Sequence, residues 1–268
     1  MTQTVPRALT IAGSDSGAGA GIQADLKTFS AYRVYGAVAI TALTAQNSCG
    51  VADLFVPPAE FVRTQIDAVC SDIGVDAAKT GMLANAQVVE VVVESVQRCG
   101  IDNLVVDPVM LAKAGDRLLA EDALELLRDS LLPLACCITP NLSEAEALTG
   151  EPVCDVGGMR RAARSLCRMG AKSALVKGGH LRGDPVDVFC EEGEVRTIAG
   201  VRVETRHDHG TGCTLSAAIA AGLAKGWPLA ISVEVAKGYV ERALQAAPGL
   251  GSGHGPLQHL VAPPEPNG

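Results

Sequence analysis

Aromatic side chains are scarce in this chain: three Tyr, four Phe and one Trp among 268 residues, or 3%. A core of ordinary size must therefore be packed by Val, Leu, Ile and Ala, and the hydrophobic share of 48% supplies them. A basic excess is lacking too. With 22 Lys and Arg against 30 Asp and Glu, the net charge is −8. That excludes the clustered cations a nucleic-acid binder needs, though not local positive potential at a phosphate site. No uncharged apolar run approaches the roughly 20 residues of a membrane span, and Met1 to Arg7 is polar and carries a proline, unlike a signal peptide. The nine cysteines are odd in number and scattered, with no CxxC pair and no HExxH. Neither a disulfide framework nor a structural zinc site is supported; His207 and His209 near Cys213 form the single weak exception. The exclusions leave a cytoplasmic protein with reduced thiols and no nucleic-acid or membrane partner.

What is present is a sustained alternation of strand and helix patterns. Ala8 to Ala12, Ala37 to Ala45, Asp76 to Thr80, Leu104 to Val106, Cys136 to Thr139 and Ala174 to Val176 read as strands. Helical stripes fall between them, at Ile22, Leu26 and Phe29, from Val62 to Ile73, and from Val88 to Val96. Others cover Leu118 to Leu132, Glu144 to Leu148 and Met159 to Met169, and two close the chain at Gly210 to Ala224 and Ile231 to Ala246. Val186 to Cys190 and Val195 to Ile198 read as a hairpin, which is also the candidate lid. Such alternation predicts an α/β fold, one mostly parallel central sheet with helices on both faces. Residues 1–268 are expected to form one domain, with 249–268 an irregular tail.

Ligands of open α/β sheets bind beyond the carboxyl ends of the strands. Here those ends carry Gly13 to Gly21, Gln46-Asn47, Gly81-Met82, Asp107-Pro108, Thr139-Pro-Asn141, Lys177-Gly-Gly179 and Gly210-Thr-Gly-Cys213. Turn chemistry explains the glycines and prolines well, but Asp107, Asn141 and Lys177 at three successive strand ends less well. Neither nucleotide-binding glycine signature is met. Gly17 and Gly19 are followed by Ile22 where the dinucleotide fingerprint needs Gly, and no Gly-Lys dipeptide occurs. Gly210-Thr211-Gly212-Cys213 opens an apolar helix, so its backbone N–H groups and the helix dipole suit a phosphoryl group in flight. Cys213 falls in the first turn, where a lowered thiol pKa is expected. Asp107 and Glu144 are candidates to hold Mg²⁺ through waters; their plainer roles are a loop carboxylate and an Asn-x-x-Glu cap. Lys177 is a candidate phosphate contact or a strand-end lysine whose stem is buried.

Eight segments in order resemble the ribokinase-like superfamily, and within it the hydroxymethylpyrimidine/phosphomethylpyrimidine kinases of thiamin biosynthesis. They are Ala8-Leu-Thr-Ile-Ala-Gly-Ser-Asp15, Gly19-Ala-Gly-Ile-Gln-Ala-Asp-Leu-Lys-Thr-Phe29, Ile40-Thr-Ala-Leu-Thr-Ala-Gln-Asn47, Lys79-Thr-Gly-Met-Leu83, Asp107-Pro-Val-Met-Leu111, Thr139-Pro-Asn-Leu-Ser-Glu144, Lys177-Gly-Gly-His180 and His209-Gly-Thr-Gly-Cys-Thr-Leu-Ser216. The resemblance implies a ribokinase-like kinase, commonly a homodimer, that uses ATP and Mg²⁺ to phosphorylate hydroxymethylpyrimidine and then its monophosphate. By the same resemblance Asp25 and Gln46 would hydrogen-bond the aminopyrimidine, and Gly13, Met82 and Val109 would line its pocket. Asp107 and Glu144 would serve magnesium, while Lys177, Asn141 and Thr211 would serve the nucleotide. Gly210, Thr211 and Gly212 would form the anion hole, with Cys213 the base. Two departures stand out: Ser14-Asp-Ser-Gly-Ala-Gly where the family more often has Ser-Gly-Gly after the Asp, and Asp208 where Thr is commoner. Pyridoxal kinase is the alternative within the class, disfavoured by Gln46. A pyrimidine-sensing protein without catalysis is the alternative outside it, disfavoured by the intact phosphate-handling set.

Overall fold

The computed structural model describes residues 5–111, 118–179, 181, 183 and 185–266. His180, the last residue of the seventh resembling segment, lies outside them. In chain order, β1 (Arg7–Asp15) leads through a glycine loop into α1 (Gly21–Ala31), and β2 (Tyr35–Asn47) doubles back as β3 (Gly50–Phe55). There follow α2 (Ala59–Asp72), β4 (Ala77–Thr80), α3 (Ala86–Cys99) and β5 (Leu104–Val106). Next come α4 (Glu121–Leu126), β6 (Cys137–Ile138), α5 (Leu142–Thr149), α6 (Val156–Arg168) and β7 (Ser173–Val176). The chain closes with the hairpin β8 (Val186–Glu191) and β9 (Glu194–Ala199), then α7 (Thr211–Ala224) and α8 (Leu229–Gln245).

All nine strands form one sheet in the order β3-β2-β1-β4-β5-β6-β7-β8-β9. The pairs from β2 to β7 are parallel, and antiparallel strands flank them at both edges. The predicted α/β architecture is therefore the observed one. Parallel strands covered on both faces should be apolar without interruption, and β5 shows it: Leu104, Val105 and Val106 are all fully buried. Leu104 and Val106 face the core under α2 to α6, whereas Val105 faces the core under α1, α7 and α8. Helix α7 is apolar all round because it lies between the sheet and α8; every residue from Thr214 to Leu223 is buried.

Several expectations need correction. The strand read at Ala37 to Ala45 runs on to Asn47 and pairs with β3, a strand the pattern did not suggest. The predicted helix from Leu118 to Leu132 is instead α4, a π turn (Leu127–Leu131) and a 3₁₀ turn (Leu132–Leu134), the last containing Pro133, which a regular helix would not accept there. The 186–198 hairpin is no lid, since β8 pairs with β7 along its length and completes the sheet. The tail lacks helix and strand, as expected, but it is well packed. Leu257 and His259 are buried, Tyr239 donates to the His259 carbonyl, and the Gly255 carbonyl accepts from the His209 N–H.

The order reverses at β1, which has β2 on one side and β4 on the other. A crevice must open where successive connections leave in opposite directions. Gly13, near the end of β1, and Met82, just after β4, border that crevice.

Candidate active site

A cavity of about 650 Å³ opens at this crevice and runs along the carboxyl ends of the parallel strands. It takes in Gly13 from β1, Gln46 from β2, Met82 after β4, Val109 after β5, Asn141 and Glu144 at the start of α5, and Lys177 after β7. The mouth of α7 contributes Gly210, Thr211, Gly212 and Cys213. Twelve of the thirteen predicted site residues, far apart in sequence, thus share one cavity.

Asp25 is the exception and a correction. It sits on α1 with no exposed surface and does not line the cavity. Its Oδ2 accepts from Thr10 Oγ1 at 2.6 Å and from Lys79 Nζ at 3.0 Å. Burial raises the Asp25 carboxyl, but with two donors on it the pair is ionic, and Lys79 is held protonated above its ordinary range despite burial. Lys79 itself reaches the cavity wall, close to where a side chain on Gly81 would lie. Sequence reasoning missed Lys79. A charged residue inside the apolar strand Ala77–Thr80 was the available signal, because such a lysine is rarely buried without a partner.

At the centre, Asp107 is 2% exposed and fully engaged. Its Oδ1 accepts from Lys177 Nζ at 2.9 Å and Thr139 Oγ1 at 3.2 Å, and its Oδ2 from Ser216 Oγ at 3.3 Å. Burial alone would raise this carboxyl; the Lys177 and Lys79 ammonium groups hold it below the usual range. Lys177 is itself kept protonated by Asp107 and Glu144 against the effect of burial. The Lys177 ammonium is therefore held in place by a buried carboxylate, an arrangement that suits contact with a phosphate group.

Glu144 has two roles at once. It closes the capping box of α5: Asn141 Oδ1 accepts from the Glu144 N–H at 2.9 Å, and Glu144 Oε2 accepts from the Asn141 N–H at 2.7 Å. Burial, aided by Asp107, raises its carboxyl to about 7, with Lys177 opposing. Glu144 thus changes charge near neutrality, within electrostatic reach of Lys177.

Helix α7 starts at Gly210, whose φ is +86°. Only Gly takes that conformation freely, and a Cβ here would fall 1.8 Å from the Gly19 carbonyl oxygen. The N-terminal glycine loop and the α7 mouth therefore lie back to back, which explains why both are built of small residues. Gly212 faces Lys177 Nζ and Asp107 Oδ2, at 3.2 and 3.7 Å from where its Cβ would be.

Cys213 occupies the predicted first turn, but its thiol is not lowered. Burial raises it to about 11, with Asp25 and Asp107 adding to the rise. Lys79 and the Gly21 N–H oppose that rise without cancelling it. The helix terminus alone does not make a thiolate when the sulfur is enclosed beside two carboxylates. Among the described residues no group of three His, Cys, Asp or Glu is placed to hold a metal ion, so the His207–His209–Cys213 possibility fails. His209 instead contacts Asp15 Oδ2 at 2.9 Å and Gln46 Nε2 at 3.3 Å. The unexpected Asp208 also borders the cavity, and its Oδ1 lies 2.9 Å from His254 Nδ1 of the tail.

A model of the phosphomethylpyrimidine kinase family matches residues 15–258. The chain belongs to that family. It is 52% identical over 257 residues to hydroxymethylpyrimidine/phosphomethylpyrimidine kinase of Rhizobium meliloti (strain 1021), covering 94% of this chain and 96% of that one. Among solved structures, phosphomethylpyrimidine kinase from Clostridium difficile 630 superposes with a TM-score of 0.80 at 41% identity, over 90% of this chain and 100% of that one. Pyridoxal kinase of Bacillus subtilis, solved as an ADP complex, gives a TM-score of 0.89 at 37% identity over 96% and 98%. The chain is thus a ribokinase-like phosphotransferase, and family membership accounts for the cavity's charge. Lys177 and Gly210 to Cys213 line the cavity together.

Proposed function

We propose that this protein transfers the γ-phosphoryl group of ATP to the hydroxymethyl oxygen of 4-amino-5-hydroxymethyl-2-methylpyrimidine, and in a second turn to the phosphate of that product. The observation that carries the reading is the placement of Gln46, Met82 and Val109 in the same cavity as Lys177, Asp107 and the α7 mouth. Gln46 offers a donor and an acceptor to an aminopyrimidine edge, while Met82 and Val109 offer apolar walls to a flat ring. In the first reaction the substrate oxygen forms the new P–O bond, the bond to ADP breaks, and the hydroxyl proton leaves. Cys213, on the wall of the same cavity, would accept a hydrogen bond from that hydroxyl. Its raised pKa means that proton transfer to sulfur follows charge development rather than preceding it. The N–H groups at Gly210 to Gly212 and the Lys177 ammonium would stabilise the charge on the phosphoryl oxygens, the main contribution in such transfers.

Magnesium fits the donor set in one way. Asp107 is already hydrogen-bonded and Glu144 is tied into a cap, so both would hold Mg²⁺ through its waters, as that ion often prefers. Bound there, the ion would neutralise nucleotide charge. The whole chain then acts as one kinase domain, working in the cytoplasm where ATP and magnesium are supplied. No described helix is long and apolar enough to cross a membrane. A homodimer completes the reading: Tyr35, Leu43, Leu54, Phe55 and Phe61, at one edge of the sheet and on adjacent α2, are all more than a third exposed. Sedimentation should show a dimer that Phe55→Glu dissociates.

The test of the activity is ADP release with hydroxymethylpyrimidine, its monophosphate and pyridoxal, each with and without Mg²⁺. Mg²⁺-dependent turnover of both pyrimidines well above pyridoxal supports the proposal. Turnover of pyridoxal alone would transfer the activity to pyridoxal kinase. Silence on all three, with tight pyrimidine binding by calorimetry, would replace catalysis by sensing.

A further inference from the structure

The loop after β1 and the segment before α7 meet at a side-chain chain that the reaction itself does not use. Asp15 ends β1, is 3% exposed, and organises the glycine loop: its Oδ1 accepts from the Gly17 N–H at 2.8 Å, and its Oδ2 from the Gly19 and Ala20 N–H groups at 3.0 and 2.9 Å. The same Oδ2 lies 2.9 Å from His209 Nε2. A carboxylate with no proton of its own requires a donor there, so Nε2 of His209 carries hydrogen. Burial would raise Asp15; His209 and the loop N–H groups more than offset it and hold the carboxyl below its usual range.

As placed, the Gln46 amide has its nitrogen 3.3 Å from His209 Nε2 and its oxygen 3.0 Å from Thr44 Oγ1, although the two ends of an amide are told apart only by their partners. Thr44 Oγ1 is in addition 3.0 Å from the Ser14 carbonyl oxygen, which can only accept. With the amide nitrogen toward His209, two donors would face each other, and the single Thr44 proton would serve two acceptors. With the amide reversed, its oxygen toward His209, the donor–donor contact is gone and Thr44 has one acceptor, while the His209 Nε2 proton is shared between Asp15 and Gln46. His209 Nε2–H then donates to Asp15 and Gln46 Oε1, Gln46 Nε2 donates to Thr44, and Thr44 donates to the Ser14 carbonyl. The irregular register of β2 against β3 falls between Ala45 and Gln46, at the point where a bulge re-aims the side chain.

We infer that Asp15, His209 and Thr44 are positioning residues that lock the Gln46 amide in one orientation, with its oxygen on the His209 side and its nitrogen on the Thr44 side, and so select for a ring with adjacent amino donor and nitrogen acceptor in one sense only. The inference rests on the reading that Gln46 contacts the pyrimidine. A ring carrying the opposite donor and acceptor order, or a phenolic hydroxyl and aldehyde as in pyridoxal, would meet the wrong partner at both ends of the amide.

Calorimetric binding of hydroxymethylpyrimidine and steady-state kinetics would be measured on Thr44→Val, Thr44→Ser, His209→Leu, Gln46→Ala and the Thr44→Val/Gln46→Ala double variant. Loss of one such hydrogen bond is worth about 2- to 10-fold. Thr44→Val should therefore weaken pyrimidine binding and raise its KM by about that factor, leaving the KM for ATP within error, and Thr44→Ser should restore both. His209→Leu should weaken binding further, and in the Gln46→Ala background the Thr44→Val effect should vanish. The nitrogen-15 shifts of His209 should show hydrogen on Nε2. Weakened binding in Gln46→Ala with wild-type binding in Thr44→Val and His209→Leu would overturn the lock and leave Gln46 as the ring contact. Unchanged binding in Gln46→Ala would overturn that contact itself. A His209 with bare Nε2 would overturn the amide orientation whatever the kinetics.

Discussion

Lys79 and Asp25 form an ion pair 3.0 Å long in which neither side chain has any exposed surface. It joins β4 to α1 at the cavity wall, with Thr10 of β1 as the further donor. Removing one partner of such a pair strands a buried charge, at a cost of about 3–5 kcal/mol. Lys79→Met and Asp25→Leu should each lower unfolding free energy by about that amount in urea. The double variant, with no charge left to strand, should lose less than either single. Additive losses would show instead that the pair is not coupled.

The Cys213 thiol, raised to about 11, should be unreactive at neutrality. Only the thiolate is alkylated, so its rate with iodoacetamide should climb about tenfold per pH unit from 7 to 10. Mass spectrometry of the Cys213 peptide separates it from the eight other free cysteines. A rate that levels off below pH 8 would place the thiol pKa in the ordinary range or under it, and would restore the thiolate expected from the helix terminus.

If sulfur takes the substrate proton as the P–O bond forms, its loss should affect turnover and not binding. General-base contributions are about 10²- to 10⁴-fold. Cys213→Ala should thus lower kcat by about 100-fold or more while the pyrimidine dissociation constant stays within about threefold. Equal loss in both parameters would make Cys213 a packing residue of the pocket wall.

The readings that succeeded from sequence share a physical basis. Strand ends such as Gly13, Asp107 and Lys177 were legible because parallel strands must point their carboxyl ends at one crevice, so strand prediction alone groups them. The capping box of Asn141 and Glu144 was legible because it is local in sequence. What was hidden depends on distances across the fold. Lys79 meets Asp25 across 54 residues and His209 meets Asp15 across 194, and no periodicity encodes either. The Cys213 error has the same origin: a helix start is visible in sequence, whereas the enclosure that outweighs its dipole is not. Strand β3 was missed because neither face of it is buried: Ala52 to Phe55 are all exposed, so the segment carries no alternation.

Glu144, raised by burial to about 7, makes a prediction about stability. A carboxyl whose folded pKa exceeds its unfolded value binds a proton on folding, so its contribution falls as pH rises from the unfolded pKa toward 7 and is constant above. Between pH 5 and 8 the protein should therefore lose stability relative to Glu144→Gln, which keeps the cap geometry and cannot ionise. The difference should approach roughly 3 kcal/mol, as a shift of that size implies. Melting temperatures of the two proteins compared across this range provide the measurement. Parallel curves would mean that Lys177 keeps Glu144 ionised throughout.

Gly210 distinguishes backbone strain from steric conflict. Its φ of +86° resembles the +79° of Gly226, at the far end of the same helix. A Cβ at Gly226 meets nothing within 4 Å, whereas one at Gly210 would lie 1.8 Å from the Gly19 carbonyl oxygen. Gly226→Ala should cost only the left-handed conformation, about 1–2 kcal/mol, with kcat and both KM values as in the wild type. Gly210→Ala should carry the same strain and in addition force apart the glycine loop and the α7 mouth. Because a misplacement of about 1 Å can cost 100-fold in rate, kcat should fall by about that factor, and the KM for ATP should rise with it. Chemical denaturation together with initial rates on both variants decides the matter. If Gly210→Ala matches Gly226→Ala in kcat, the contact between the two loops does not set the position of the anion hole.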